Sequence, residues 1–572
     1  MFHEPELRQF ISNLLPHWES MSWNLQNTFF TGFLALSVIL VIKHVTNGQN
    51  LQSDQKIWRV PYCLPFLGHS FALYVIQRKI TFHCWARDNC PNGIFAFKIG
   101  SKIFNVATDS TLVERILATR KEFQLSHQPL NWVFIHRAIQ FSGLAKHLLT
   151  EPVLWNSIYE QRKEFDSFYK YLVKEPYVDT VFTKISQYLH ANIPQMITFL
   201  DNKVDLQSWE RWASSKYVSS SETEISLMPL LYDMMGSTIV TSIFGSAFLE
   251  KNPDLIQNIY EMERGMKFLT MGIPAWFPWP SNVKAHMYRN MILLSLDDYQ
   301  KALDNKIKNK PNGLLWGDLD DVSDFVLARH RFYNEKGIRV EERFEIEILW
   351  DLMISANLLV FWQILFIYST PGLIERIRKE ISLCALVIQG AKIGQIAEIP
   401  RLSLSPKTLF KECPLLRASY LESHRLTNQN WSIRAVENDI NFSKGESGSS
   451  RLLSSLKKGE YIAVLKKPQI DPLYMDYPEK FIPERFLLCN QGKSSSVDID
   501  TPHFSCCAGI SGYKGNEFLE KLCLIFVAGM IACWDLEPID KTHEWKIPDQ
   551  LIFSGICRPA YDVRVRIKRR CT

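Results

Sequence analysis

Apolar positions recur at helical spacing over residues 226–244, 345–368 and 411–426, and the pattern predicts a helix in each. Short strand-like runs, such as 461–465, are few. The expected fold class is therefore mainly α with small β-sheets. The stretch 20–42 differs from all of these because it carries no charge and concentrates Phe29, Phe30, Phe33, Leu34, Leu36 and the run Val38 to Ile42. As a helix it would reach about 30 Å, enough to cross a bilayer. Lys43, Lys56 and Arg59 follow it, whereas the upstream flank is mostly acidic. The positive-inside rule then places 1–19 in the lumen, 20–42 in the membrane and the remainder in the cytosol. A cleaved leader is disfavoured, since the run lacks a basic start and a small-residue cleavage site.

Residues 43–60 read as a linker, followed by Pro61, Pro65 and Gly68, which stiffen the turn into the globular part. Between 61 and 572 no repeat, long linker or change of composition appears, so one catalytic domain is expected there. The stretch 443–455 is rich in serine and glycine and predicts an exposed loop. With 46% hydrophobic and 12% aromatic residues the chain can build a large core. Its 65 basic and 60 acidic residues are scattered, which argues against nucleic acid as a partner. The 12 cysteines form no CxxC pair and only Cys506 and Cys507 are adjacent, so reduced thiols are expected rather than a disulfide framework.

Glu422 and Arg425 are spaced to share one face of a helix. Downstream come Lys458-Gly459-Glu460-Tyr461, Asp471-Pro472, Tyr474, Pro478-Glu479 and Phe481-Ile-Pro483-Glu-Arg485-Phe486, in that order. This succession resembles the cytochrome P-450 family. The resemblance implies a P-450 fold preceded by the transmembrane helix, a place in the endoplasmic reticulum membrane, a haem cofactor, NADPH delivered through P-450 reductase, and a hydrophobic small-molecule substrate. It also implies a charge triad of Glu422, Arg425 and Arg485, and makes Arg434 a candidate cation for a haem propionate, the alternative being an ordinary surface arginine. Within the family the likeness leans towards sterol 7α-hydroxylases, sterol 12α-hydroxylase and prostacyclin synthase. Phe268 to Pro278 resembles their apolar connection between helices F and G, which dips into the membrane. Trp350 to Trp362 resembles their distal helix I, and Arg434 to Asp439 the strand after the Glu-Arg helix. Phe134, Met271, Leu358, Leu359 and Phe361 are the expected cavity lining.

The resemblance requires an axial haem-iron ligand, and two alignments of the ligand loop remain open. Counting back from Trp534 puts Tyr513 at the ligand position, with Gly509 and Gly515 at the two glycine places. The other uses Cys507, in Cys507-Ala508-Gly509. A tyrosinate and a thiolate give haem different redox chemistry. Where related enzymes carry a proton-donating pair on helix I, this chain has Leu358, Leu359 and Val360, with Asp351 about two turns earlier. Three readings follow. One is a monooxygenase of a sterol, terpenoid or polyketide in lipid or secondary-metabolite biosynthesis, whose reductase would dock on lysines such as Lys457, Lys458, Lys466, Lys467 and Lys514. The second is a redox-neutral isomerase or cyclase, with tyrosinate-ligated haem or none, and the third is a non-catalytic binding protein.

Overall fold

The structure, a computed structural model, describes residues 57–60, 94–99, 102–107, 125–126, 167–312, 316–343, 345–390, 392–393, 396–397, 399–428, 431–436, 438–444, 451–465, 477–487, 516–539, 544–551 and 555–570. The expected membrane span at 20–42, Phe134, and the loop with Cys507, Gly509, Tyr513 and Gly515 lie outside them. Two compact units are present, one built from 1–126 and 434–464, the other from 127–433 and 465–572.

The first unit is organised on a six-stranded sheet in the order Trp58–Arg59, Ile94–Ile99, Lys102–Ala107, Tyr461–Leu465, Trp431–Val436, Leu125–Ser126. Ile94–Ile99 and Lys102–Ala107 form an antiparallel pair, and Tyr461–Leu465 adds to the latter in parallel. Cross-strand aromatic stacking supports the register, with Phe104 lying 5.6 Å from Phe97 and 4.9 Å from Tyr461. The serine- and glycine-rich stretch expected as a loop carries strand at both ends, because Ile440–Lys444 pairs antiparallel with Arg451–Leu456. The reason lies at the hairpin's base, where Ile440 faces Leu456 and both are buried. Both apolar positions lie just outside the serine-rich stretch.

The second unit is mainly helical. Its principal helices are α1 (Tyr177–Asn192), α2 (Leu227–Ile239), α3 (Leu255–Arg264), α4 (Met266–Met271), α5 (Pro280–Ile307), α6 (Asp324–Glu335), α7 (Glu345–Ser369), α8 (Leu373–Ile381), α9 (Pro406–Glu412), α10 (Pro414–Thr427) and α11 (Asn516–Cys533). The predicted helix at 226–244 is α2 continued by a π-helical turn, Val240–Phe244. Together with α7 it is long and apolar enough to cross a membrane, yet both helices are largely buried inside the protein. A helix apolar on every side needs cover on every side. For α7 that cover comes from α2, α10 and α11.

The helix predicted over 411–426 is two helices. Pro414 has no N–H to continue α9 and pushes the preceding residue out of the helical region, so Cys413 adopts φ −116° and ψ 65°. The restart is capped from a distance. Glu380 on α8 accepts from the N–H groups of Leu415 and Leu416, 2.8 Å each, satisfying donors that no residue of α10 reaches. Beside the helices lies a four-stranded antiparallel sheet in the order Trp534–Pro538, Arg564–Arg569, Glu222–Ser226, Lys216–Ser219. Alternation along Arg564–Arg569 buries Val565 and Ile567, while Arg566 and Lys568 reach outward to Glu224 and Glu537.

Candidate active site

Glu422 and Arg425 face the same way from α10, and both are fully buried. Arg425 donates Nε to Glu422 Oε2 at 2.7 Å and Nη2 to Oε1 at 2.8 Å, a two-pronged bond that fixes both side chains. Arg485, in the 3₁₀ turn Pro483–Phe486, donates Nε to Glu422 Oε1 at 3.2 Å. The backbone joins in. Ile482 N–H bonds Glu422 Oε1 at 3.0 Å, Arg425 Nη1 reaches the Pro478 carbonyl at 2.8 Å, and Arg485 Nη2 the Tyr477 carbonyl at 2.7 Å. One carboxylate thus serves two guanidiniums and one amide, which offsets the cost of removing three charges from water. The structure brings these three sequence-predicted residues together, and the Tyr477–Leu487 segment is tied to α10 through them.

Above α10, Gln363 on α7 donates to Ser419 Oγ at 3.0 Å and to the Leu416 carbonyl at 3.3 Å. Phe366 stacks on Phe481 at 4.9 Å, continuing a stack that begins at Trp362. Trp362 donates its indole N–H to the Cys557 carbonyl at 2.8 Å, joining α7 to the C-terminal segment. Cys523 of α11 approaches the Ala356 carbonyl of α7 at 3.9 Å.

The first half of α7 is not sealed all round. Glu347, Asp351 and Ser355 remain partly exposed, at i, i+4 and i+8 on one face, and Leu358 continues that face at 5% exposure. Leu359 and Phe361 are fully buried, and Leu359 lies about 100° round the helix from Leu358. Asn357, also fully buried, bonds the Met353 carbonyl through Nδ2 at 2.7 Å, while its Oδ1 has no partner among the described residues. Sequence reading missed Ser355 and Asn357. Their signal was available, as polar residues at helical spacing in an otherwise apolar helix.

Met271 ends α4 and is 42% exposed. Arg434 belongs to the first unit, in Trp431–Val436, and at 7% exposure it is no surface arginine. Among the described residues no group of His, Cys, Asp and Glu is arranged to hold a metal ion. A further polar cluster sits where α3 meets α7. Glu263 accepts from Trp350 Nε1 at 2.5 Å and pairs with Arg558 at 2.8 Å. Burial holds the Arg558 guanidinium below its ordinary pKa and, more strongly, pushes the Tyr232 phenol up.

No protein-family model matches the chain. Curated proteins do. It is 21% identical over 518 residues to cytochrome P-450 monooxygenase poxD of Penicillium oxalicum, covering 89% of this chain and 93% of that protein. It is 28% identical over 241 residues to the 25-hydroxycholesterol 7-alpha-hydroxylase of Rattus norvegicus, covering 40% of this chain and 55% of that protein. Among solved structures, the retinoic acid bound cyanobacterial CYP120A1 superposes with a TM-score of 0.57 at 17% identity, over 91% of this chain and 100% of that one. The chain has the mainly helical cytochrome P-450 fold with small sheets, and is a distant homologue of P-450 monooxygenases that include a sterol 7α-hydroxylase and a fungal enzyme.

Proposed function

We propose that this protein is a haem monooxygenase, anchored in the endoplasmic reticulum membrane by 20–42, that hydroxylates a large hydrophobic molecule such as a sterol, terpenoid or polyketide in lipid or secondary-metabolite biosynthesis. The observation that carries the reading is the buried Glu422, Arg425 and Arg485 cluster, kept in a chain whose relatives are monooxygenases. The named substrate of the rat relative supports the sterol option.

Homology implies haem, and the residues present have the chemistry to hold it. Tyr513 and Cys507 are both competent axial donors, as tyrosinate or thiolate. Arg434 offers a cation for a propionate, and Asn357 an amide oxygen with no partner among the described residues. Bound haem supplies dioxygen and one-electron chemistry. The chain's own part is then to position and to dry. Leu358, Leu359 and Val360 exclude water from the middle of α7, while Asp351 and the Ser355 hydroxyl, one turn apart, are the groups able to hold and pass a proton along its open face. NADPH electrons would arrive through P-450 reductase, for which the exposed Lys457 and Lys458 are candidate contacts.

The test is purification from a haem-replete host and the spectrum of the reduced protein with carbon monoxide. A thiolate-type Soret band that disappears in Cys507→Ala and persists in Tyr513→Ala assigns sulfur as the ligand. Failure of the protein to take up haem sinks the oxygenase reading. The aliphatic Leu358-Leu359-Val360 favours a second reading, a redox-neutral isomerase or cyclase. Turnover without dioxygen and reductase would select it.

A further inference from the structure

A surface cleft of about 480 Å³ opens in the second unit between the end of α1, continued by the 3₁₀ turn Ile193–Gln195, and the strand Arg401–Leu404. Ala191, Pro194, Ile399 and Pro400 give it apolar walls, while His190 and Arg401 bring polar groups to it. Arg401 is exposed, and none of the residues lining the cleft is acidic.

One wall of the cleft is the edge of a sheet. Arg401–Leu404 pairs antiparallel with Ala385–Ile388, Leu404 standing opposite Ala385 and Leu402 opposite Val387. The next position along is hydrogen-bonded, because the Ser405 N–H meets the Cys384 carbonyl at 2.8 Å. Bonded and non-bonded pairs alternate along an antiparallel ladder, so Leu404 and Leu402 turn their N–H and C=O groups away from Ala385–Ile388. The Leu404 N–H follows this rule and donates to His190 Nε2 on α1 at 2.7 Å. Leu402, two residues earlier on the same edge, has no such cover. Its N–H and C=O have no partner among the described residues, although its side chain is buried beneath the strand and fixes the direction of the edge.

We propose that this edge docks an extended segment of a partner protein, paired with Leu402 as an added strand and setting a carboxylate on Arg401. Each part of that chemistry matches the surface. Open N–H and C=O groups on a strand edge are a template for another strand. A guanidinium takes a carboxylate in a two-pronged bond. The proline, alanine and isoleucine walls receive apolar side chains of the same segment. A small carboxylate alone would use Arg401 and leave the Leu402 backbone unmet. The site is separate from the monooxygenase reading. It lies wholly in the second unit, whereas Lys457 and Lys458, put forward above for the reductase, belong to the first.

The test uses the full chain in detergent micelles and a fluorescein-labelled hexapeptide of alternating valine and glutamate, read by fluorescence anisotropy. Binding should saturate with a dissociation constant below about 1 mM. The same peptide methylated at every backbone amide keeps its side chains and loses the donors for strand pairing, and should bind roughly tenfold more weakly. Arg401→Glu should weaken the parent peptide by a similar factor and should instead favour a hexapeptide of alternating valine and lysine. No saturation overturns the proposal. Equal binding of the methylated peptide removes the strand, and equal binding of the lysine peptide to the unsubstituted chain removes the carboxylate. Displacement by glutarate at matching concentration overturns it too and assigns the cleft to a small carboxylate. A dimer in sedimentation that Arg401→Glu disperses, with no peptide bound, overturns it and assigns the edge to a second copy of the chain. None of these readouts depends on haem or turnover, so a failed carbon monoxide spectrum leaves the test intact.

Discussion

Cys384 and Cys413 hold their sulfurs 3.3 Å apart, in two segments that are both buried. The hydrogen bond between the two thiols keeps the Cys384 pKa below its ordinary value. A disulfide needs the sulfurs at about 2.05 Å. Diamide treatment of the full chain should therefore link these two, read by peptide mapping after alkylation, and Cys384→Ser should abolish the link. Recovery of both as alkylated thiols after oxidation would refute it.

Glu422→Ala should destabilise the second unit by roughly 3–5 kcal/mol, because it leaves Arg425 and Arg485 without their shared carboxylate. Denaturant unfolding measures this. Arg425→Lys should recover little, since a lysine cannot bond Glu422 with two prongs and reach the Pro478 carbonyl as well.

His330 introduces a pH dependence. Burial, aided by the neighbouring Arg343, lowers its pKa from 6.5 to about 4, against the pull of Asp304 at 2.8 Å. Below pH 6.5 the unfolded chain takes up a proton that the folded chain refuses. The stability this site contributes is thus complete above that value and is lost as the pH falls towards about 4. The loss should be at most roughly 3 kcal/mol. His330→Gln should flatten unfolding free energy over that window, and an unchanged slope would exclude the assignment.

Gly265 sits where α3 passes closest to α5. A Cβ there would stand 2.4 Å from both the Ala285 Cβ and the Ser281 carbonyl, and backbone cannot rotate aside. Gly265→Ala, in the turn between α3 and α4, should cost about 1–3 kcal/mol in thermal or denaturant unfolding. A neutral result would mean that α3 and α5 can separate freely.

How much of this was legible beforehand divides along physical lines. Helix α7 was visible because its apolar run is long, and the Glu422, Arg425 and Arg485 cluster only through the resemblance of the surrounding segments to the cytochrome P-450 family. The break at Cys413 could have been read from Pro414 and was missed because hydrophobic spacing continues across it. The hairpin at Ile440–Lys444 was hidden by serine, since its strand character rests on the cross-strand pair with Leu456. The exposure of Val283, Met287, Met291 and Leu294 on α5 was invisible in principle, because a sequence shows which residues are apolar and not which of two apolar faces finds cover. The ligand position stays a choice between Tyr513 and Cys507.

The cap that Glu380 places on α10 separates duties along the chain. Since α10 is started by a side chain from α8, the intervening stretch between Ile381 and Cys413 is excused from aiming Glu422. Substitution at the exposed positions of that stretch, such as Leu383, Leu386 and Ile388, should be tolerated over evolutionary time, while Glu380 itself should resist exchange even for aspartate, whose shorter arm would leave Leu415 and Leu416 out of reach.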